Sequence, residues 1–283
     1  MTKDFEDFLL EEIKKSGYPL EIEISSILEQ NKWFVINNGY YLDKTTNKER
    51  EIDITANYPL IKGDTPKIEF LCTITLVIEC KKSNTYSWVF FSRPTVIKLF
   101  SLGQYVDYVR VLAFQTEVLD HFEKNHYENF DNVASTYAEF KVKKKNKITK
   151  TEQSQKDEIF TAVNQLKNYI LYDKDSTRVQ FQFPFIRIYY PIIVFDGELF
   201  ECTIEKGVPK LKKANHILLR YWHPEGVIFF DIVKKEFFKH FITIINTERD
   251  RFYESINLNY SKIIKDAENY EKSLKRNMHQ LND

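Results

Sequence analysis

The stretch Leu76-Val77-Ile78-Glu79-Cys80-Lys81-Lys82-Ser83 decides how this chain is read. From Leu71 to Cys80 nearly every residue is apolar or β-branched, as suits a strand covered on both faces. Alternation along such a strand sets Glu79 and Lys81 on one face and Ile78 and Cys80 on the other. A carboxylate and an ammonium side by side at a strand end are either an ion pair or a metal ligand beside its catalytic partner. The neighbouring elements discriminate between the two.

Upstream, Phe5 to Lys15 has the pattern of a short amphipathic helix, ended by Ser16-Gly17-Tyr18-Pro19. A second helix is expected from Leu20 to Asn31, with Leu20, Ile24, Ile27 and Leu28 at helical spacing. Trp33-Phe34-Val35-Ile36 reads as a strand, Asn37-Asn38-Gly39 as a turn or bulge, and Tyr40 to Asp43 as its extension. Lys44 to Lys48 is loop-like, and Arg50 to Ala56 alternates as a strand. With the strand bearing Glu79, these segments make a helix-strand-strand-strand unit within the first 85 residues.

Downstream, residues 84–155 read as an insertion, with helical character from Val96 to Val111 and an acid-free, lysine-rich loop from Lys141 to Lys150. Asp157 to Leu171 is predicted as a helix, with Ile159, Ala162, Val163, Leu166 and Ile170 on one side. Phe185 to Phe195 and Leu199 to Ile204 read as strands hinged at Asp196-Gly197, a hairpin signal. Gly226 to Val233 is another buried strand. From Lys235 the chain is helical, and Ile256 to Leu281 is a charged, partly amphipathic tail.

Composition narrows the classes. An apolar share of 43%, with 23 Phe and 17 Tyr, supplies a sizeable core, and only seven Gly and eight Pro argue against a disordered chain. The 41 basic residues balance 41 acidic ones, so any nucleic-acid surface must be local. Cys72, Cys80 and Cys202 lack zinc-type spacing and are expected as reduced core residues of a cytosolic protein. Met1 to Asp7 lacks the basic start and apolar run of a signal peptide, and no window approaches a membrane span. A soluble cytoplasmic protein without a membrane partner is expected.

Hydrolysing a phosphodiester near neutral pH calls for a divalent metal that activates water and offsets phosphate charge. Mg²⁺ is held by a few carboxylate oxygens, waters and substrate phosphate. Such a site needs acids converging from different elements and a cation nearby. Asp53 and Glu79 lie on two strands expected to be neighbours, Lys81 shares the face of Glu79, and Glu21 lies in the first turn of the preceding helix.

In that order, Leu20-Glu21-x-x-Ile24-Ser25, Arg50-Glu51-Ile52-Asp53 and Val77-Ile78-Glu79-Cys80-Lys81 resemble the PD-(D/E)XK nuclease superfamily, closest to restriction-endonuclease-like proteins of the Mrr type in prokaryotic defence. The resemblance covers roughly residues 16–85 and, more loosely, 157–235. It implies an α/β, restriction-endonuclease-like αβββαβ core with a mixed central sheet, an inserted region and a helical C-terminal extension. The corresponding division is a nuclease domain over 1–235, with its insertion at about 84–155, and an extension over 236–283.

By resemblance, Asp53 and Glu79 bind Mg²⁺, with Mn²⁺ as the alternative, and the Cys80 carbonyl is a backbone ligand. Lys81 positions or activates the water, and Glu21 is the helical acid. Gln165, in Gln165-Leu166-Lys167-Asn168-Tyr169, matches the family's Gln-x-x-x-Tyr motif; Gln104-Tyr105-Val106-Asp107-Tyr108 is a competing copy. Ile52 replaces the proline that names the motif.

Each residue also has a plainer reading. Glu79 and Lys81 taken alone would be an ion pair, and Asp53 an exposed strand position. The ordered arrival of Glu21 and Asp53 favours the metal site. Glu21 is preferred over Glu23 because it shares a helix face with Ile24 and Leu28. Glu51 is expected to pair with a lysine. Lys141–Lys150 and the cluster Lys206, Lys210, Lys212 and Lys213 are solvated charge or phosphate contacts. The histidines, His121, His126, His216, His223, His240 and His279, show no metal or triad spacing.

The expected function is metal-dependent hydrolysis of double-stranded DNA, with a homodimer if both strands are cut. The alternatives are a non-catalytic nucleic-acid-binding or assembly subunit of a defence complex, and an RNA or branched-DNA nuclease on the same fold.

Overall fold

The computed structural model describes residues 3–44, 46–63, 69–94, 106–109, 125–143, 147–150, 157–180, 183–223 and 226–280. Two helices open the chain, α1 (Lys3–Lys15) and α2 (Tyr18–Gln30), followed by three strands, β1 (Phe34–Asp43), β2 (Lys48–Lys62) and β3 (Phe70–Pro94). Then come β4 (Val106–Val109), a 3-10 turn at His126–Asn129, β5 (Asn132–Lys143) and β6 (Lys147–Lys150). Helix α3 (Glu158–Gln180) precedes β7 (Phe185–Glu205), β8 (Val208–Lys213), β9 (His216–His223) and β10 (Gly226–Lys234), and α4 (Lys235–Gln280) follows. The class is mixed α/β.

The ten strands among the described residues join one mixed sheet. Strands β1, β2 and the first half of β3 are antiparallel, while β3 runs parallel to β7 from Leu71↔Phe185 to Phe91↔Cys202. The second half of β3 pairs with β5, β5 meets β9 at Ala134↔Leu219, and β9 leads through β10 back to β7. These pairings close a ring of five strands.

Both sheet faces are covered, as parallel strands require. On one face, Tyr169 of α3 hydrogen-bonds Thr55, and Tyr189 Oη donates to Asp173 of α3 at 2.8 Å. On the other, Tyr253 of α4 lies against Cys72 and Ile74, and Trp33, just after α2, donates to Asn246 of α4 at 3.0 Å. Helix α4 belongs to the same core, through Phe238, Phe241, Ile242, Ile245, Phe252 and Ile256 at helical spacing. No described helix is long and apolar enough to cross a membrane.

Several local expectations are corrected. Asp196-Gly197 makes no hairpin, because β7 continues through it. The partner β3 carries extra residues there, the register passing from Lys82↔Asp196 to Ser87↔Glu198. Ser83 Oγ accepts from the Tyr86 amide at 2.8 Å, folding the surplus into a bulge. Gly197 lies under that bulge. A Cβ on Gly197 would stand 2.9 Å from the Ser83 carbonyl oxygen and against the Phe195 ring, which stacks on Trp88 at 3.8 Å between centroids. The glycine marks a close backbone approach. The hairpin falls later, at Lys206-Gly207, where both residues have positive φ (49° and 82°), as a tight type I′ turn requires.

Residue 84 lies inside β3, so the segment set apart at about 84–155 does not begin at a break. Of the helix expected over Val96–Val111, residues 106–109 form strand β4; the others lie outside the described residues. Lys141–Lys150 is not a simple loop, since Lys141–Lys143 end β5 and Lys147–Lys150 form β6. The β-branched pair Ile148-Thr149 between lysines favours a strand more than the charge run suggested. The three cysteines are free and buried.

Gly197→Ala is expected to destabilise the protein by about 1–3 kcal/mol through this overpacking. A urea midpoint equal to that of wild type would show that the approach at Ser83 is not close in solution.

Candidate active site

Strand pairing assembles the acids. The register Ile54↔Ile78 sets Asp53 beside Glu79 on one face, where β2 diverges from β3. The Cys80 amide donates to Asp53 Oδ2 at 2.7 Å, which holds the Asp53 carboxylate against the β3 backbone. Lys81 Nζ stands 2.6 Å from Glu79 Oε2 and 3.7 Å from Asp53 Oδ2. Glu79 is fully buried, whereas the Asp53 and Lys81 side chains are each 18% exposed, so the cluster meets solvent on their side.

Glu79 Oε1 is buried without a hydrogen-bond partner. Burial pushes the Glu79 carboxyl up to about 8, with Lys81 opposing and Asp53 reinforcing the shift. Lys81 stays charged: burial works against its ammonium, but Glu79 and Asp53 outweigh it and raise its pKa. A buried carboxylate oxygen lacking a donor, facing a second carboxylate, fits a hard cation.

Glu21 adjoins the cluster from α2. Burial, then the charges of Asp53 and Glu51, raise its pKa, while Lys81 and a hydrogen bond from Asn38 act the other way. Glu23 points elsewhere and pairs with Lys235 at 2.8 Å. Glu51 has no lysine among its described ion pairs; Asn38 Nδ2 donates to its carboxylate. That contact follows from Asn38, whose φ of 54° turns the β1 backbone locally.

Gln165 on α3 reaches the same region differently. Its Nε2 donates to the Glu51 carbonyl at 3.3 Å, and its own carbonyl accepts from Tyr41 Oη at 3.3 Å. It fastens α3 to β1 and β2 beside the acids without touching a carboxylate. Gln104 lies outside the described residues. The sequence reading overlooked Glu158, in the first turn of α3, whose pKa is raised by burial and lowered by Lys81. A helix-start acid opposite the Glu79–Lys81 strand was the available signal.

Asp53 and Glu79 could together hold a divalent ion, with water filling the rest of its shell. Glu21 stands at the margin, and the Cys80 carbonyl lies on the strand between Glu79 and Lys81. One trio of potential ligand atoms within 4.8 Å of one another lies elsewhere, at His126, His216 and Asp231. These three are far apart in sequence, so spacing could not reveal them.

Glu79 binds a proton in the folded protein up to about pH 8, against an ordinary value of 4.5. Between those values the folded state holds more proton than the unfolded, so stability of the metal-free protein falls as pH rises, by at most about 5 kcal/mol. Glu79→Gln is expected to flatten this slope in urea denaturation across about pH 5 to 9. An unchanged slope would place Glu79 in a wetter setting. Comparison with known proteins offers no relative: no family model, no curated protein and no solved structure matches the chain.

Proposed function

We propose that this chain is a metal-dependent nuclease that hydrolyses DNA phosphodiesters. The observation that carries the reading is the convergence of Asp53, Glu79 and Lys81, with one buried carboxylate oxygen lacking a donor. Their order after Glu21, on a helix and two adjacent strands, supports the resemblance to PD-(D/E)XK nucleases. The element order α2-β1-β2-β3, later α3-β7, agrees with an αβββαβ core.

Asp53 and Glu79 would hold Mg²⁺ or Mn²⁺, with Glu21 on its outer side. When bound, such an ion lowers the pKa of water and offsets charge on the scissile phosphate. The Cys80 amide fixes Asp53 by its 2.7 Å hydrogen bond, so that ligand is oriented before substrate arrives. Lys81 keeps its proton and is placed to stabilise negative charge on the attacked phosphate or to orient the water. Gln165 fastens α3 to the Glu51 backbone beside the acids.

Lys210, Lys212 and Lys213 on exposed β8 offer charge for a phosphate backbone, although Lys212 and Lys213 are partly neutralised by Glu201 and Glu198. Cleavage of both strands of a duplex calls for two copies, since one site cuts one strand at a time. The resemblance extends the proposal to defence against foreign DNA.

The test is cleavage of supercoiled plasmid with Mg²⁺ or Mn²⁺. Asp53→Ala and Lys81→Ala are expected to lower the rate by about 10²-fold or more, with folding checked by circular dichroism. Equal cleavage by wild type and both variants would remove this site from the reaction. A wild type inactive on DNA but active on RNA would move the substrate, not the site.

A further inference from the structure

A second polar centre is buried on the far side of β7. His126 comes from the 3-10 turn, His216 from the start of β9, Asp231 from β10 and Glu248 from α4. His126 Nε2 lies 3.0 Å from Asp231 Oδ1, and His216 Nε2 lies 2.8 Å from the same oxygen. His126 Nδ1 lies 3.0 and 3.1 Å from the two oxygens of Glu248. Tyr127 Oη donates to Asp231 Oδ2 at 3.1 Å, and Tyr190 Oη to Glu248 Oε2 at 3.2 Å.

We propose that His126, His216 and Asp231 form a zinc site, in which Glu248 orients His126. Two imidazoles and a carboxylate are a zinc donor set, and bonds of about 2.0–2.1 Å place neighbouring tetrahedral ligand atoms roughly 3.3 Å apart. The two Nε2–Oδ1 separations are close to that edge, and all three ligand atoms lie within 4.8 Å of one another. A small outward shift of each ring seats the ion. The carboxylate on the remote nitrogen of His126 is the usual support of a zinc-binding imidazole, because it fixes the tautomer that leaves Nε2 free for metal.

Charge balance points the same way. Asp231 and Glu248 are 0% and 7% exposed, and a single imidazolium between them would leave one uncompensated negative charge in the core. Arg249 is turned away, binding Asp250 at 2.6 Å and lying over Tyr58. Arg251, whose charge reaches Tyr190, is only half-buried and donates to the Thr247 carbonyl at 3.4 Å. Among the described contacts, no cation other than His126 touches the two carboxylates. Zinc with two neutral imidazoles and two carboxylates sums to zero. His216 is 11% exposed at its side chain and gives the ion a way in. The ligands join three separate segments, and Glu248 adds α4, so the ion would tie them together, with water taking the fourth tetrahedral position. The site stands independently of the nuclease reading.

The experiment uses the full chain carrying Asp53→Ala, which weakens the other acidic site. After incubation with Zn²⁺ and desalting, metal analysis is expected to find about one zinc per chain, and Co²⁺ in its place should give a tetrahedral visible band. Adding His216→Ala or Asp231→Asn should reduce retained zinc to below about a tenth of an equivalent. Glu248→Gln should retain the Co²⁺ band but weaken zinc about 10–100-fold in competition with a chelator. The exposed His240→Ala should change nothing. No retained zinc and no Co²⁺ band in the folded parent would mean a hydrogen-bonded cluster only and overturn the proposal. Equal zinc in the Asp231→Asn chain would overturn it too. If the ligand variants fail to fold, the Co²⁺ titration of the parent decides alone.

Discussion

The parallel pairing of β3 with β7 is the constraint on which the other elements depend. Over its first stretch, from Leu71↔Phe185 to Lys82↔Asp196, both strands are buried on both faces apart from half-buried Leu71 and Arg187 and the charged residues at the far end. A parallel pair so placed exposes no face to water, so helices must cover each side. Helix α3 does so over Thr55 and Tyr189, and α2 with α4 over Cys72 and Ile74. The strands then outrun this layer. Past the bulge at Ser83 they find new partners in β5 and β8, and the ring through β9 and β10 begins.

The charged cluster sits where that change happens. Lys82 and Asp196 are the last pair before the register shift, and Glu79 and Lys81 immediately precede it. A strand leaving its antiparallel neighbour opens a gap between β2 and β3, and acids on the two strands face each other across it. The cost is a fully buried Glu79 whose carboxylate is met by Lys81 at 2.6 Å and by the Asp53 backbone, with one oxygen left without a partner. Folding alone gives little reason to place a carboxylate there, since an apolar residue of similar volume would avoid the desolvation. A strained electrostatic arrangement at a sheet opening is where function is to be sought.

The second centre contrasts with the first. At Asp231, burial opposes the charge, but His126 and His216 hold the carboxyl well below the usual carboxylate range. His126 is held up to about 10, burial being outweighed by Asp231 and Glu248, while burial lowers His216. Its side chains come from four separate segments and contact one another, so it ties elements together, whereas the Glu79 site leaves a carboxylate oxygen without a hydrogen-bond partner.

Much of the first site was legible because its residues obey local rules. Strand alternation put Glu79 and Lys81 on one face, and helical spacing turned Glu21, not Glu23, toward the sheet. The Lys235 contact of Glu23 agrees with that choice. Asp196-Gly197 misled, because a glycine required by a passing backbone looks the same in sequence as one required by a turn. The histidine centre was not legible at all: His126, His216 and Asp231 are each unremarkable in their own segments. The sequence by itself determined the alternating and helical faces, and hence which acids could meet along the β2–β3 edge. Only the tertiary structure decided that β3 and β7 continue past their helical cover, and that distant segments converge on Asp231. Those outcomes depend on long-range strand pairing, for which neighbouring residues carry no period.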